Sequence, residues 1–108
     1  MKLVIAIVHD EDSNEVVERM NQMNIGVTKL ASTGGFLKSG NTTLLIGVNK
    51  ERVEEVMDAI RETCKTRKEI TSASTMIGEA GSYLSMPLEV TVGGATVFVV
   101  DVEQYLKV

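Results

Sequence analysis

A short glycine-framed segment, TGGFLKSGN at residues 33–41, carries the residue types best suited to ligand chemistry. Glycines permit positive φ and let backbone N–H groups converge on an anion. Phe36 offers a ring that can stack on a flat ligand, and the Asn41 amide can pair with a base edge or a ribose. Lys38 or Lys29 could meet a phosphate. This combination is typical of a nucleotide site.

The same segment is compatible with a plain structural role. It could be a tight strand connection in which Phe36 folds into an interface between subunits. A glycine-rich loop alone is weak evidence for phosphate binding, and this one lacks the Lys-Ser/Thr order of a P-loop. The residues by themselves leave the two interpretations open.

Catalytic and metal chemistry have few candidates. His9 is the only histidine, and no Ser or Cys is spaced to form a nucleophile–base pair with it, so a solvated or capping histidine is expected. Cys64 falls on an apolar helical stripe, which predicts a buried structural thiol. Asp10, Glu11 and Asp12 predict a helix start rather than a cation site. We therefore expect no enzyme, no metal and no cofactor.

Length and charge narrow the class of protein further. The 108 residues allow one domain, and the net charge of −4 disfavours nucleic acid or an anionic membrane surface as partner. The single cysteine excludes an intrachain disulfide and suits a reducing compartment. No apolar stretch approaches the roughly 20 residues of a membrane span, and the N-terminus lacks a signal-peptide pattern. These features predict a cytoplasmic protein.

The chain divides into alternating strand and helix patterns. One helix starts in the acidic cluster and ends at Asn24 and Gly26, and a second starts at a capping Asn49. A short loop is expected at 35–41, a long irregular loop at 70–87, and a break at Gly93–Gly94. The strands are predicted at residues 3–8, 27–32, 42–48, 88–92 and 96–100.

An internal repeat predicts how these elements assemble. Strand VIAIV with its helix recurs as strand LLIGV with its helix, which gives β-α-β-β-α-β, an α+β ferredoxin-like arrangement. Both helices then cover one face of an antiparallel sheet. Because residues 4–7 and 44–48 are apolar on both strand faces, the bare face also requires burial. We expect a closed homo-oligomer whose sheets face inward.

Three stretches carry a resemblance to a known family. They are TKLASTGGFLKSGNTTLLIGVN (28–49), GGATVFV (93–99) and the opening KLVIAIVHDEDS. Almost end to end, the chain closely resembles the PII-like receptors for cyclic di-AMP of Gram-positive bacteria. The resemblance implies a homotrimer of ferredoxin-like subunits, a single PII-like domain at 1–108 and a dinucleotide in each cleft between neighbours. It also implies a non-enzymatic signal carrier with a downstream protein partner that the sequence does not name.

The resemblance implies roles for individual residues around the nucleotide. It puts Phe36 against an adenine. It gives Thr28, Asn41 and Gly47 hydrogen bonds to base, ribose or phosphate. It matches Asn24 to a position that contacts a base.

Five further residues would shape the cleft. Gly35 and Leu37 would form the turn around the phosphate. Gly94, Ala95 and Thr96 would line the cleft from the last strands. All five, like the contacts above, are implied by the resemblance alone.

Two departures from the family pattern define an alternative. Members that bind the nucleotide carry a basic residue where this chain has Gly26, and a ligand-contacting Gln near the C-terminus is matched by Lys107. Loss of a guanidinium contact could weaken binding by roughly ten- to hundredfold. The alternative is a trimeric interaction protein of the same fold with weakened or lost affinity for cyclic di-AMP.

Overall fold

The computed structural model describes residues 1–32, 40–77 and 82–108. In this part of the chain, two α-helices are interleaved with antiparallel strands. The strands are β1 (Lys2–His9), β2 (Thr28–Ser32), β3 (Asn41–Val48), β4 (Arg67–Ile77), β5 (Ser82–Val92) and β6 (Ala95–Asp101). The helices are α1 (Asp10–Gln22) and α2 (Val53–Thr63), with a 3₁₀ turn (Lys50–Arg52) before α2.

The main sheet has four strands in the order β2-β3-β1-β6, and all neighbours are antiparallel. One row of the register runs from Thr28 through Leu45 and Ile5 to Phe98. This α+β architecture is compatible with the ferredoxin-like arrangement predicted from the internal repeat. The strands predicted at 3–8, 27–32, 42–48 and 96–100 are confirmed to within a residue at each end.

The hydrophobic core lies between the two helices and one face of this sheet. Val4, Ala6 and Val8 point towards the helices and are fully buried, as expected for alternate residues of a central strand. Each helix buries an apolar stripe against the sheet, and that of α1 contributes Val16 and Met20 to the core. The α2 stripe contributes Val56, Ala59, Ile60 and, at its end, Cys64.

The opposite face of the sheet carries apolar side chains that remain partly exposed. Leu30 and Phe98 are each 45% exposed, and Val100 is 43% exposed. In the register these residues share a face with Ile5 and Leu45 of the central strands. The sequence-based expectation of a second apolar face is therefore matched by the structure, and this face is called the open face below.

The prediction of a long irregular loop at 70–87 is wrong. Strands β4 and β5 pair over their full length, from Arg67 opposite Val92 to Ile77 opposite Ser82. The molecule measures 64 Å along its long axis but only 23 and 19 Å across, so this hairpin extends beyond the main sheet. A two-stranded ribbon needs no single buried face, which is why the segment has no alternating apolar pattern.

The roles expected for Asn49 and His9 also need correction, although α1 begins at Asp10 in the acidic cluster as predicted. Asn49 does not cap α2 with its side chain, because the 3₁₀ turn intervenes and α2 begins at Val53. His9 occupies the N-cap position of α1 but makes no capping hydrogen bond with its side chain, and it is buried rather than solvated.

Candidate functional site

Five of the seven described site residues expected from the sequence fall at two ends of the main sheet. Asn41 begins β3 and lies opposite His9, at the end of β1. Gly47 is near the end of β3 and lies opposite Leu3, at the start of β1. At about 3.4 Å per residue, Asn41 and Gly47 are about 20 Å apart along the strand. One subunit therefore presents two separate groups of candidate residues.

The first group surrounds the C-terminus of α1. Asn24 has φ 59°, the left-handed conformation that was expected to end this helix, and its N–H donates to the Asn21 carbonyl at 3.0 Å. Gly26, two residues further on, is exposed, and apart from its chain neighbours no described residue lies within 4 Å of where its Cβ would be. A pocket of about 160 Å³ opens at this point, lined by Met1, Asn24, Ile25, Gly26, Gly47, Val48, Asn49 and Arg52. We call it the Asn24 pocket.

Arg52 is a pocket residue that the sequence analysis missed. Its Nη2 donates to the Met23 carbonyl at 2.9 Å, which satisfies a carbonyl at the end of α1. Its Nε donates to Glu55 Oε2 at 2.9 Å, and this hydrogen bond raises the pKa of Arg52 above its ordinary value. The spacing of Arg52 from Asn24 in the sequence gives no signal of their proximity, because the sheet brings them together.

The second group surrounds the start of β3. The Asp10 N–H donates to the Gly40 carbonyl at 3.0 Å, and the Thr42 hydroxyl donates to Asp10 Oδ1 at 2.6 Å. Asp10 thus binds the chain on both sides of Asn41, which is itself buried. A groove of about 420 Å³ runs between this region and β5, lined by His9, Asp10, Glu11, Gly40, Val90, Thr91 and Val92.

Gly94 and Ala95 lie at the same end of the sheet, in a different groove. Gly93 and Gly94 have φ of 88° and 85°, which confirms the predicted break before β6. The Gly94 N–H donates to the Cys64 carbonyl at 2.5 Å, so the turn is fixed to the end of α2. The groove, about 410 Å³, is lined by Met57, Ile60, Arg61, Cys64, Thr66, Gly94, Ala95 and Val97.

Thr28 and Thr96 lie on the open face rather than in either groove. Thr28 lies in the same register row as Phe98, and Thr96 lies opposite Ile7. Phe98 is an exposed aromatic side chain that the sequence analysis did not select. Its position among alternating residues of TVFVV is the signal that could have placed it on this face.

Three of the expected contact residues, Gly35, Phe36 and Leu37, lie outside the described residues, as does the rest of the 33–39 segment. Lys107 belongs to the exposed C-terminal segment that follows β6. The Lys29 ammonium donates a hydrogen bond to Asn14 Oδ1 of α1 at 2.7 Å. This candidate phosphate ligand is therefore engaged on the helix side of the sheet.

Cys64 and Asp12, which were considered for catalysis or cation binding, are buried in the structure. Cys64 is buried and free, and desolvation by burial raises its thiol pKa to about 12, with a further contribution from Asp12. The predicted structural thiol is thereby confirmed. Asp12 is buried and accepts a hydrogen bond from Arg67 at 2.9 Å. Over residues 1–32, 40–77 and 82–108, no cluster of His, Cys, Asp or Glu could hold a metal ion.

The fold and its pockets define a small α+β protein with open pockets at both ends of one sheet. Over residues 1–108 the chain matches the cyclic-di-AMP receptor family. It is also similar to a protein of unknown function from Pediococcus pentosaceus ATCC 25745, whose crystal structure has been solved. The two are 43% identical over 99% of this chain and 96% of that one, with a TM-score of 0.77.

The chain belongs to the cyclic-di-AMP receptor family. The family is one of receptors rather than of enzymes, and its ligand is the dinucleotide expected from the sequence resemblance. Within the part of the chain that is described, no helix is both long enough and apolar enough to span a bilayer.

Proposed function

We propose that this chain is a non-enzymatic signalling protein that binds cyclic di-AMP in the clefts between the subunits of a homotrimer in the cytoplasm. The match to the cyclic-di-AMP receptor family over residues 1–108 carries the proposal. The open face and the two groups of site residues support the assembly that goes with it.

The open face favours assembly with further copies of the chain. Phe98 and Val100 are each more than 40% exposed on it, beside Leu30 at the edge. Burying such side chains stabilises an assembly by about 25 cal/mol for each Å² of apolar surface removed from water. In a closed ring of three, every open face is covered by another, so no apolar sheet remains in contact with solvent.

The separation of the site residues favours a binding site between subunits. Asn24 and Gly47 line a pocket at one end of the sheet, and Asn41 and Gly94 lie at the other end. A ligand that uses both groups would bridge two neighbouring chains. We propose that each cleft combines the Asn24 pocket with the 35–41 segment and with residues from the start of β6.

Each proposed contact matches the chemistry of a dinucleotide. Phe36 would stack on an adenine, and Gly35 and Leu37 would form the turn around a phosphate. Thr28 and Asn41 would donate or accept hydrogen bonds at base, ribose or phosphate.

We propose that ligand binding is signalled to a downstream protein by a change in the protein surface around the ligand. Binding would order the 35–41 segment, which joins β2 to Asn41. Asp10 contacts Gly40 and also lines the groove against β5. A change in the 35–41 segment would therefore alter the contacts of the β4–β5 hairpin. A downstream protein would then recognise the changed surface of the segment and the hairpin.

Isothermal titration of the purified chain with cyclic di-AMP tests the proposal. The wild-type chain is expected to bind one ligand per subunit. Phe36→Ala should weaken binding by about ten- to hundredfold, because stacking on one base contributes about 1–3 kcal/mol. Phe36→Tyr, which keeps the ring, serves as the control and should bind nearly as well as wild type.

No heat at tens of micromolar ligand would contradict cyclic-di-AMP binding. The space at Gly26 supports the second candidate, a trimeric interaction protein with weakened or lost affinity, because in the described part of the chain only its sequence neighbours come within 4 Å of a Cβ at this position in the Asn24 pocket. A parent without affinity and a Gly26→Arg variant that binds would establish that alternative.

A further inference from the structure

The Asn24 pocket contains a cation whose hydrogen-bonding capacity is only partly used. Arg52 lines the pocket beside Asn24, Gly47 and Asn49. Its guanidinium has five N–H donors, of which the structure engages the one on Nε and one on Nη2. Among the described residues, neither N–H of Nη1 has an acceptor. The Arg52 side chain is 36% exposed, so an incoming anion can reach it.

The internal contacts of Arg52 hold it in place. The Met23 carbonyl at the end of α1 accepts from Nη2, and Glu55 of α2 accepts from Nε. A guanidinium held on two sides loses little conformational entropy when it binds a third group. Arg52 is therefore preorganised to present its free edge to a phosphate.

The net negative charge of the chain disfavours an anionic ligand at long range, so a local cation would favour its binding. The net charge is −4, and cyclic di-AMP carries a negative charge on each of its phosphates. Beyond its chain neighbours, no residue of the described ranges lies within 4 Å of where a Cβ at Gly26 would be, so these residues leave the approach to the pocket open. We infer that Arg52, at the wall of the Asn24 pocket, binds the phosphate of cyclic di-AMP that adjoins the base at Asn24.

This inference rests on the proposed function and adds to it a specific electrostatic partner. It also explains how a chain with glycine at position 26 retains a guanidinium at this site. Glu55 then has a measurable role, because its carboxylate competes with the phosphate for the same guanidinium. Removing the Glu55 charge should tighten binding, whereas removing the Arg52 charge should weaken it.

Isothermal titration of full-length variants with cyclic di-AMP tests the inference. Arg52→Gln should bind about ten- to hundredfold more weakly than wild type, since a charge-assisted contact is lost. The affinity of Arg52→Lys should lie between those of wild type and Arg52→Gln, because an ammonium keeps the charge but not the paired donors. Glu55→Gln should bind about two- to fivefold more tightly.

A matched pair of controls comes from the ion pair of Arg19 and Glu62, which joins α1 to α2 outside the Asn24 pocket. Arg19→Gln and Glu62→Gln change the net charge by the same amounts and should leave affinity unchanged. Thermal unfolding of each variant checks that the chain is folded.

The outcomes separate the inference from the proposed function. If the wild-type chain binds and a folded Arg52→Gln variant binds with the same affinity, the inference alone is overturned. If Arg52→Gln does not fold, unchanged affinity in both Arg52→Lys and Glu55→Gln would overturn it. No binding by the wild-type chain would overturn the proposed function and the inference with it.

Discussion

Two neighbouring valines on β6 provide a direct test of the trimer. Val99 and Val100 are 40% and 43% exposed, respectively, but they lie on opposite faces of the sheet. Val99 is on the helix side, and Val100 is on the open face. If three open faces cover one another, Val100→Asp should break the assembly and Val99→Asp should not.

The expected effect can be worked from the exposure of Val100. Complete burial of a valine contributes about 1.5–3 kcal/mol, and the exposed 43% leaves about 1 kcal/mol to be gained on assembly. Three copies contribute about 3 kcal/mol, and losing this contribution would lower the assembly constant by more than about a hundredfold. Burying three carboxylates would cost several kcal/mol more.

Multi-angle light scattering at micromolar concentration measures the result, with circular dichroism to check folding. Wild type and Val99→Asp should have the mass of a trimer, and Val100→Asp that of a monomer. A trimer that survives Val100→Asp, or a wild-type monomer, would refute the reasoning from the open face.

Three further predictions concern the junction between the main sheet and the hairpin. Gly93→Ala should destabilise the chain by about 1–3 kcal/mol in urea unfolding, because a Cβ at φ 88° would clash with the Lys65 carbonyl. Asp12→Asn should cost about 1–3 kcal/mol, since it removes the buried negative charge that pairs with the Arg67 guanidinium, and should speed amide exchange in β4. The Cys64 thiol, with a pKa of about 12, should react slowly with a thiol reagent at pH 8 in the native protein and rapidly in urea. Because folding raises this pKa, the contribution of Cys64 to stability should fall as the pH rises from about 9 to about 12.

Each of these three predictions can fail on its own. A Gly93→Ala chain as stable as wild type would mean that the turn tolerates a side chain. An unchanged exchange rate after Asp12→Asn would mean that the ion pair does not hold the hairpin base. Rapid labelling of native Cys64 would contradict its burial at the end of α2.

The main sheet and its two helices were predictable because each has a strong local pattern. The run of branched apolar residues in β1 predicts a central strand, and Val16 and Met20 repeat at helical spacing. Asn24 and Gly93 were recognised because few residue types adopt the left-handed conformation easily.

The hairpin and Arg52 were not predictable for a different reason. Strands β4 and β5 pair only with each other in the described structure, so neither has to alternate apolar and polar residues. Arg52 reaches the Asn24 pocket because β3 carries the chain back beside the end of α1, a proximity that no sequence spacing encodes. The contacts of Phe36 remain predictions, since they rest on the family resemblance.

Native mass spectrometry of the wild-type chain with cyclic di-AMP tests the central claim most directly, because one spectrum reports both assembly and ligand count. The expected species is a trimer of the 11.7 kDa chain that takes up three ligands. A monomer that binds the ligand by itself, or a trimer that binds none, would contradict a site built between subunits.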